Sequence, residues 1–356
     1  MASLFPAELR AGPALPKLIP RLIGVWRTAM SRVPRDDRSK TMRNGSRTSR
    51  FTGITLVFLS AALWATVGVA VRLVPGAAAL PAEAFGLART MLAGPLILIA
   101  VLPFGLCQSG ALRRLSPYHL VAFALACFIF QVCLFRAFTE LGVTITVVMT
   151  VCLPPVISIL WSTLRGARTG PGGWLALALA ALGLGLFSAP QLAADASSGN
   201  AGGTVFALTA SVAFVWMSRS ARVLGREGSP ILVAGLGLTI SGMMFCLAFP
   251  WLAATPLPTV ATVVRDWQLL GLLLYLAVVP TALAYVCYCS GIARCRSTDV
   301  GLIASMIEPA MAAVLAMSLL HERLSAIEIA GCLLMTLAMG VLMQTERGWT
   351  PLPAAA

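Results

Sequence analysis

Ten runs of about twenty apolar residues follow residue 50, at about 53–73, 81–103, 118–138, 143–164, 172–189, 203–224, 231–253, 267–289, 298–320 and 325–343. A helix needs roughly 20 such residues to cross a hydrocarbon core about 30 Å thick. Inside that core each backbone N–H and C=O must find its partner within the segment, so runs of this length have to be helices. The expected fold is an all-α integral membrane protein with ten transmembrane helices, its short links making antiparallel neighbours. Composition agrees. The chain of 356 residues is 58% hydrophobic and 11% charged, against about 45–50% and about 25% in soluble domains. A soluble enzyme, a disordered chain and a disulfide scaffold are excluded.

Charge tests the span count. Residues 1–50 hold eleven Lys or Arg, and residues 51–356 hold fifteen. With the N-terminus placed in the cytoplasm, 21 basic residues fall on that side, 3 on the outer side, and Arg89 and Arg136 lie within spans. Basic residues collect on the cytoplasmic side of membrane proteins, and a miscounted span would scramble the alternation. The expected arrangement is a multi-pass protein of the plasma or inner membrane with both termini cytoplasmic. The net charge of +13 therefore reads as a basic tail on a membrane body, with no nucleic-acid partner required. Within the tail, Leu18, Leu22, Ile23, Trp26, Met30 and Val33 recur at helical spacing with Arg21, Arg27 and Arg32 between them. That pattern suits an amphipathic helix lying on anionic lipid, or an unstructured basic leader.

The chain also repeats itself. Gly53–Arg72 aligns without a gap on Gly203–Arg222, so that Trp64 meets Phe214. Further on, Gln131 meets Tyr285, Val132-Cys133 meets Val286-Cys287, Thr144 meets Thr298 and Pro155 meets Pro309. The organisation expected is a tail (1–50), a first five-helix repeat (51–190), a second (200–345) and a short cytoplasmic tail (346–356). Five is odd, so two direct repeats cross the membrane in opposite senses. Inverted repeats place a substrate site at the midplane between the halves and support alternating access by rocking.

Several segments carry a family likeness. The stretch IEPAMAAVLAMSLLHERLSAIEIAGCLLMTLAMGVLM (307–343), with its turn His321-Glu322-Arg323-Leu324-Ser325, resembles the C-terminal signature of the EamA group of drug/metabolite transporters. ALWATVGVAVRL (62–73), ARTMLAG (88–94) and LPPVISILW (153–161) resemble the same pattern in the first half. The likeness covers about 53–343. It implies ten helices in two inverted repeats that move small metabolites, often amino acids outward. One departure stands out: Arg168 occupies the position equivalent to Glu322.

Ionisable groups in hydrocarbon are costly and default to functional candidates. Arg89 lies about 12 Å below the outer end of its span and Glu308 about 18 Å below the end of its own. That offset lets the two meet if their helices adjoin, as a substrate or proton site or as a structural ion pair between the halves. Gln131 and Tyr285 can hydrogen-bond a polar ligand or a neighbouring helix, and Trp64 can wall a pathway or pack. Pro154, Pro155, Pro280 and Pro309 each remove a backbone donor, which suits broken helices beside a cavity. Arg219 and Arg222 close the sixth span, where they can snorkel toward the cytoplasm. Asp299 stands at a span edge. Gly183 and Gly185 suggest close helix packing in the fifth span.

These features point to a secondary transporter, an exporter of small metabolites such as amino acids by alternating access. A proton or other ion gradient, or simple facilitation, would drive it. Membrane lipid and a small-molecule substrate are the expected partners. The chain has no GxxxxGK[ST] loop for ATP. No cofactor or metal site is expected, since the chain has two histidines and its nine cysteines show no CxxC spacing. The alternatives are an intramembrane enzyme, for which HERLS lacks the second histidine of HExxH, and a non-transporting sensor or scaffold.

Overall fold

The computed structural model describes residues 45–74, 82–104, 113–166, 170–194, 201–252, 266–321 and 324–348. The amphipathic pattern of the tail, Arg168 and Glu322 lie outside these residues. Ten helices in the described residues are long and apolar enough to span a membrane, and no strand occurs among them. They are α1 (Gly45–Leu73), α2 (Ala82–Val101), α3 (Pro117–Leu141), α4 (Val143–Leu164), α5 (Pro171–Ala194), α6 (Ala201–Glu227), α7 (Pro230–Leu252), α8 (Trp267–Arg294), α9 (Thr298–Leu319) and α10 (Ala326–Gly348).

Local chemistry sets several of the boundaries. Asp266 caps α8, its carboxylate accepting from the N–H groups of Gln268 at 3.0 Å and Leu269 at 3.2 Å. Ser297 caps α9 by accepting from the N–H of Val300 at 3.3 Å. Ser325 and Glu328 form a reciprocal capping box at the start of α10, which satisfies two donors that a helix start leaves free. Glu328 thus holds the turn before α10. A single residue, Gly142, joins α3 to α4 with φ of 78°, a conformation that glycine adopts without a Cβ penalty.

Contacts at the helix ends divide the bundle into two ends. Arg222 and Arg226 of α6 donate to backbone carbonyls at the end of α8 and the link after it. The N–H of Ser116, just before α3, donates to Glu227 at the end of α6. Gly53 of α1 packs on Arg294 of α8. The starts of α1 and α3 and the ends of α6 and α8 therefore share one end, here termed the basic end.

The four most extensive helix contacts are α3 with α6, α5 with α10, α2 with α7, and α1 with α8. Every one of them joins one repeat to the other. Exchanging the repeats maps α1–α8 onto α6–α3 and leaves α2–α7 and α5–α10 in place, as a two-fold relation between inverted halves requires. Small residues permit the approach. A Cβ on Gly183 of α5 would stand 2.7 Å from the carbonyl oxygen of Gly331 on α10, whereas one on Gly185 would meet nothing within 4 Å. Of the two glycines expected to pack closely, Gly183 does so and Gly185 does not.

Two spans depart from α geometry. α8 passes through a π turn at Val278–Leu283, around Pro280. α9 consists of two half-helices, Thr298–Ser305 and Glu308–Leu319, with Pro309 in the first turn of the second. In α4 the expectation of a break fails. Val143–Leu164 is continuous α-helix through Pro154 and Pro155, so these prolines remove two backbone bonds without interrupting the span.

Candidate functional site

The polar centre of the bundle is built on the π turn. Pro280 has no N–H to offer the carbonyl of Leu276, one turn earlier. The hydroxyl of Thr281 donates to that carbonyl at 2.7 Å. Thr281 Oγ1 in turn accepts from Nε of Arg89 on α2 at 3.0 Å. A guanidinium, a hydroxyl and a freed carbonyl thus form one chain across α2 and α8. Arg89 also interacts electrostatically with Glu308 and Tyr285. Glu308 opens the second half-helix of α9, where the N-terminal end of the helix dipole favours an acidic side chain. The structure therefore brings Arg89, Tyr285 and Glu308 into one region, with Thr281 as a hydroxyl that the sequence did not single out.

A cluster of aromatic rings adjoins this centre at Tyr285. Trp64 of α1 lies edge-on to Phe214 of α6, with ring centroids 6.2 Å apart, and edge-on to Tyr285 at 5.7 Å. Trp64 and Phe214 are the residues that the repeat makes equivalent, so the two halves meet at this contact. Tyr288 packs on Trp64 at 5.2 Å and shares a 2.5 Å hydrogen bond with the hydroxyl of Ser218. The indole Nε1 of Trp64 is buried without a hydrogen-bond partner. Gln131 donates through Nε2 to Thr90 at 3.3 Å, while its Oε1 is buried and unpartnered. Unpaired polar atoms in a buried setting are costly.

A second polar cluster lies toward the basic end. Asp299, in the first turn of α9, is buried. It accepts from the hydroxyls of Ser158 at 2.5 Å and Ser162 at 3.2 Å on α4. Nη2 of Arg219 on α6 stands 3.8 Å from the same carboxylate. It donates to the Ser158 carbonyl at 2.9 Å, the Ser158 hydroxyl at 3.1 Å and the Ser162 hydroxyl at 3.0 Å. The cluster ties α4 of the first repeat to α6 and α9 of the second. Arg219 is thus drawn inward to an acid rather than snorkelling outward. Arg222 spends its reach on the carbonyls of Cys295 and Arg296. The sequence signal was weak, since serines in a span and an aspartate at its edge are both ordinary.

No curated relative matches the chain by sequence. A solved crystal structure of another protein superposes with a TM-score of 0.68 at 17% identity, covering 84% of this chain and 100% of that one. At that identity the likeness is one of fold. The model of the EamA-like transporter family matches twice, over residues 51–189 and 201–344. With both repeats matched across most of its length, this protein belongs to the EamA-like transporter family.

Proposed function

We propose that the protein exports small zwitterionic metabolites, amino acids or close relatives, by alternating access. The observation that carries this reading is Arg89 of α2, bonded to Thr281 at the π turn of α8, with Glu308 at the break of α9 interacting with it electrostatically. A guanidinium matches a substrate carboxylate, and a carboxylate matches an ammonium group. Trp64, Tyr285 and Tyr288 supply the apolar wall that orients the rest of the molecule. The unpartnered Trp64 N–H and Gln131 carbonyl add one donor and one acceptor for its polar groups. An ion gradient, with Glu308 carrying a proton, supplies the energy.

The basic end faces the cytoplasm of a plasma or inner membrane in this reading. The cluster of Asp299, Arg219, Ser158 and Ser162 closes that side between the halves. Substrate entering from the cytoplasm would need it to open, and rocking of the halves about the Trp64–Phe214 contact would open it.

Purified protein in liposomes, offered a panel of labelled amino acids, tests this directly. Saturable flux of an unaltered amino acid, lost in Glu308→Gln, is the expected result. Flux of none of them, or chemical conversion of the solute, would overturn the proposal.

A further inference from the structure

At the basic end, α3, α4 and α6 enclose a recess of about 280 Å³ that is separate from the polar centre. Its wall includes His119, Trp161, Arg165, Trp216 and Arg219. Among the described residues no carboxylate lines it. The nearby acids are occupied elsewhere: Asp299 by Ser158, Ser162 and Arg219, and Glu227 by the Ser116 N–H. Arg165 is held over the Trp161 ring at 4.7 Å, and Arg219 stands 5.9 Å from the same ring. Trp161 and Trp216 meet edge-on with centroids 6.2 Å apart. The Nε of Arg219 is buried without a hydrogen-bond partner, behind the exposed part of the guanidinium.

The surface beside the recess is apolar. Trp161, Trp216, Val156, Leu160, Leu208 and Val212 are all exposed. On α6, residues 208, 212 and 216 lie on one face at helical spacing, and they lead from the recess across the middle of the span. Val156 and Leu160 make a parallel strip on α4. Two guanidiniums at the membrane boundary, a pair of interfacial tryptophans and an apolar track running inward match one kind of occupant: a phosphate head with acyl chains below it.

We propose that this recess is a binding site for an anionic phospholipid, its phosphate between Arg165 and Arg219 and a chain along the α4–α6 track. Basic pockets between transmembrane helices hold such headgroups, and tryptophan favours the boundary between headgroups and chains. Occupancy would bear on the bundle's closure, because Arg219 also belongs to the cluster that joins the two halves.

The test reads binding, not flux, so its failure is distinct from failure of the transport reading. The full chain is placed in nanodiscs of phosphatidylcholine with increasing phosphatidylglycerol whose acyl chains are brominated, and tryptophan fluorescence is quenched. Brominated phosphatidylcholine serves as reference. The expected result is a preference for the anionic lipid that falls about fivefold in Arg165→Gln, the loss corresponding to one basic residue at a membrane surface. Arg114→Gln, at the same end but outside the recess, should keep the preference. In the double variant Trp161→Phe, Trp216→Phe the difference in quenching between the two lipids should vanish. Equal quenching by both lipids, or an equal loss in Arg114→Gln and Arg165→Gln, overturns the proposal. So does displacement by soluble glycerol phosphate at concentrations comparable to the lipid, which would make the recess a site for free anions. Size-exclusion profiles and circular dichroism establish that each variant is folded.

Discussion

Arg219 on α6 and Asp299 on α9 stand 3.8 Å apart, and both are bonded to the same two hydroxyls, Ser158 and Ser162, on α4. Three helices from two repeats thus share one acid. Asp299→Asn should lower stability by about 2 kcal/mol, the scale of a hydrogen bond to a charged group. Arg219 is partly exposed, so water limits the cost of leaving it unpaired. Thermal unfolding in detergent checks the size. A double-mutant cycle with Arg219→Gln should be non-additive, and strict additivity would show that the pair is not coupled.

Glu308→Gln keeps shape and removes charge. The variant should reach the membrane at parental abundance and lose most flux, or retain flux with its pH dependence gone. Transport at the parental rate with the parental pH profile would make Glu308 a structural residue. Arg89→Ala should be worse for folding, because it removes the donor to Thr281 and the opposite charge to Glu308 at once.

Thr281 satisfies the carbonyl that Pro280 leaves free and receives Arg89. Thr281→Val keeps the volume and strips the hydroxyl, which should cost about 1–3 kcal/mol for the polar groups left unpaired. Thr281→Ser should restore most of that. Melting temperatures of the three proteins, compared at equal detergent, decide the matter. A Val variant as stable as the parent would remove the hydroxyl from the account of the π turn.

Gly183 and Gly185 make a matched pair of tests. Ala at 183 meets the backbone of Gly331, and relieving such an overlap costs about 1–3 kcal/mol. Ala at 185 meets nothing and should be neutral or stabilising, since alanine favours helix by about 1 kcal/mol. Equal effects at the two positions would contradict the close approach of α5 and α10.

Reporter fusions address orientation. A reporter at Ala356 should be cytoplasmic and one near Asp195 external. Both on one side would overturn the span count.

The ten spans were legible because hydrocarbon demands one unbroken apolar run for each crossing. Arg89 and Glu308 were legible for the converse reason: a charge within such a run stands out, and their depths in the two spans could be compared by counting residues. The cluster around Asp299 was not. Its parts are a serine pair, an arginine at a helix end and an acid at a span edge, each ordinary in its own segment and joined only by packing. Prolines were legible as missing donors, but their outcome was not. At Pro280 the span takes a π turn, and there a threonine hydroxyl reaches the freed carbonyl. Pro154 and Pro155 left α4 continuous, whereas the equivalent Glu308-Pro309 stands at a break.

The pairing of α5 with α10 has a consequence for biogenesis. Helices emerge from the ribosome in order, and α5 leaves it five spans before the partner that covers Gly183. Throughout that interval α5 must idle against lipid or an insertion factor with its glycine face uncovered. Of the four contacts that join the halves, this one therefore closes last, and a nascent chain stalled before Gly331 presents an unfinished seam to the cell's membrane proteases.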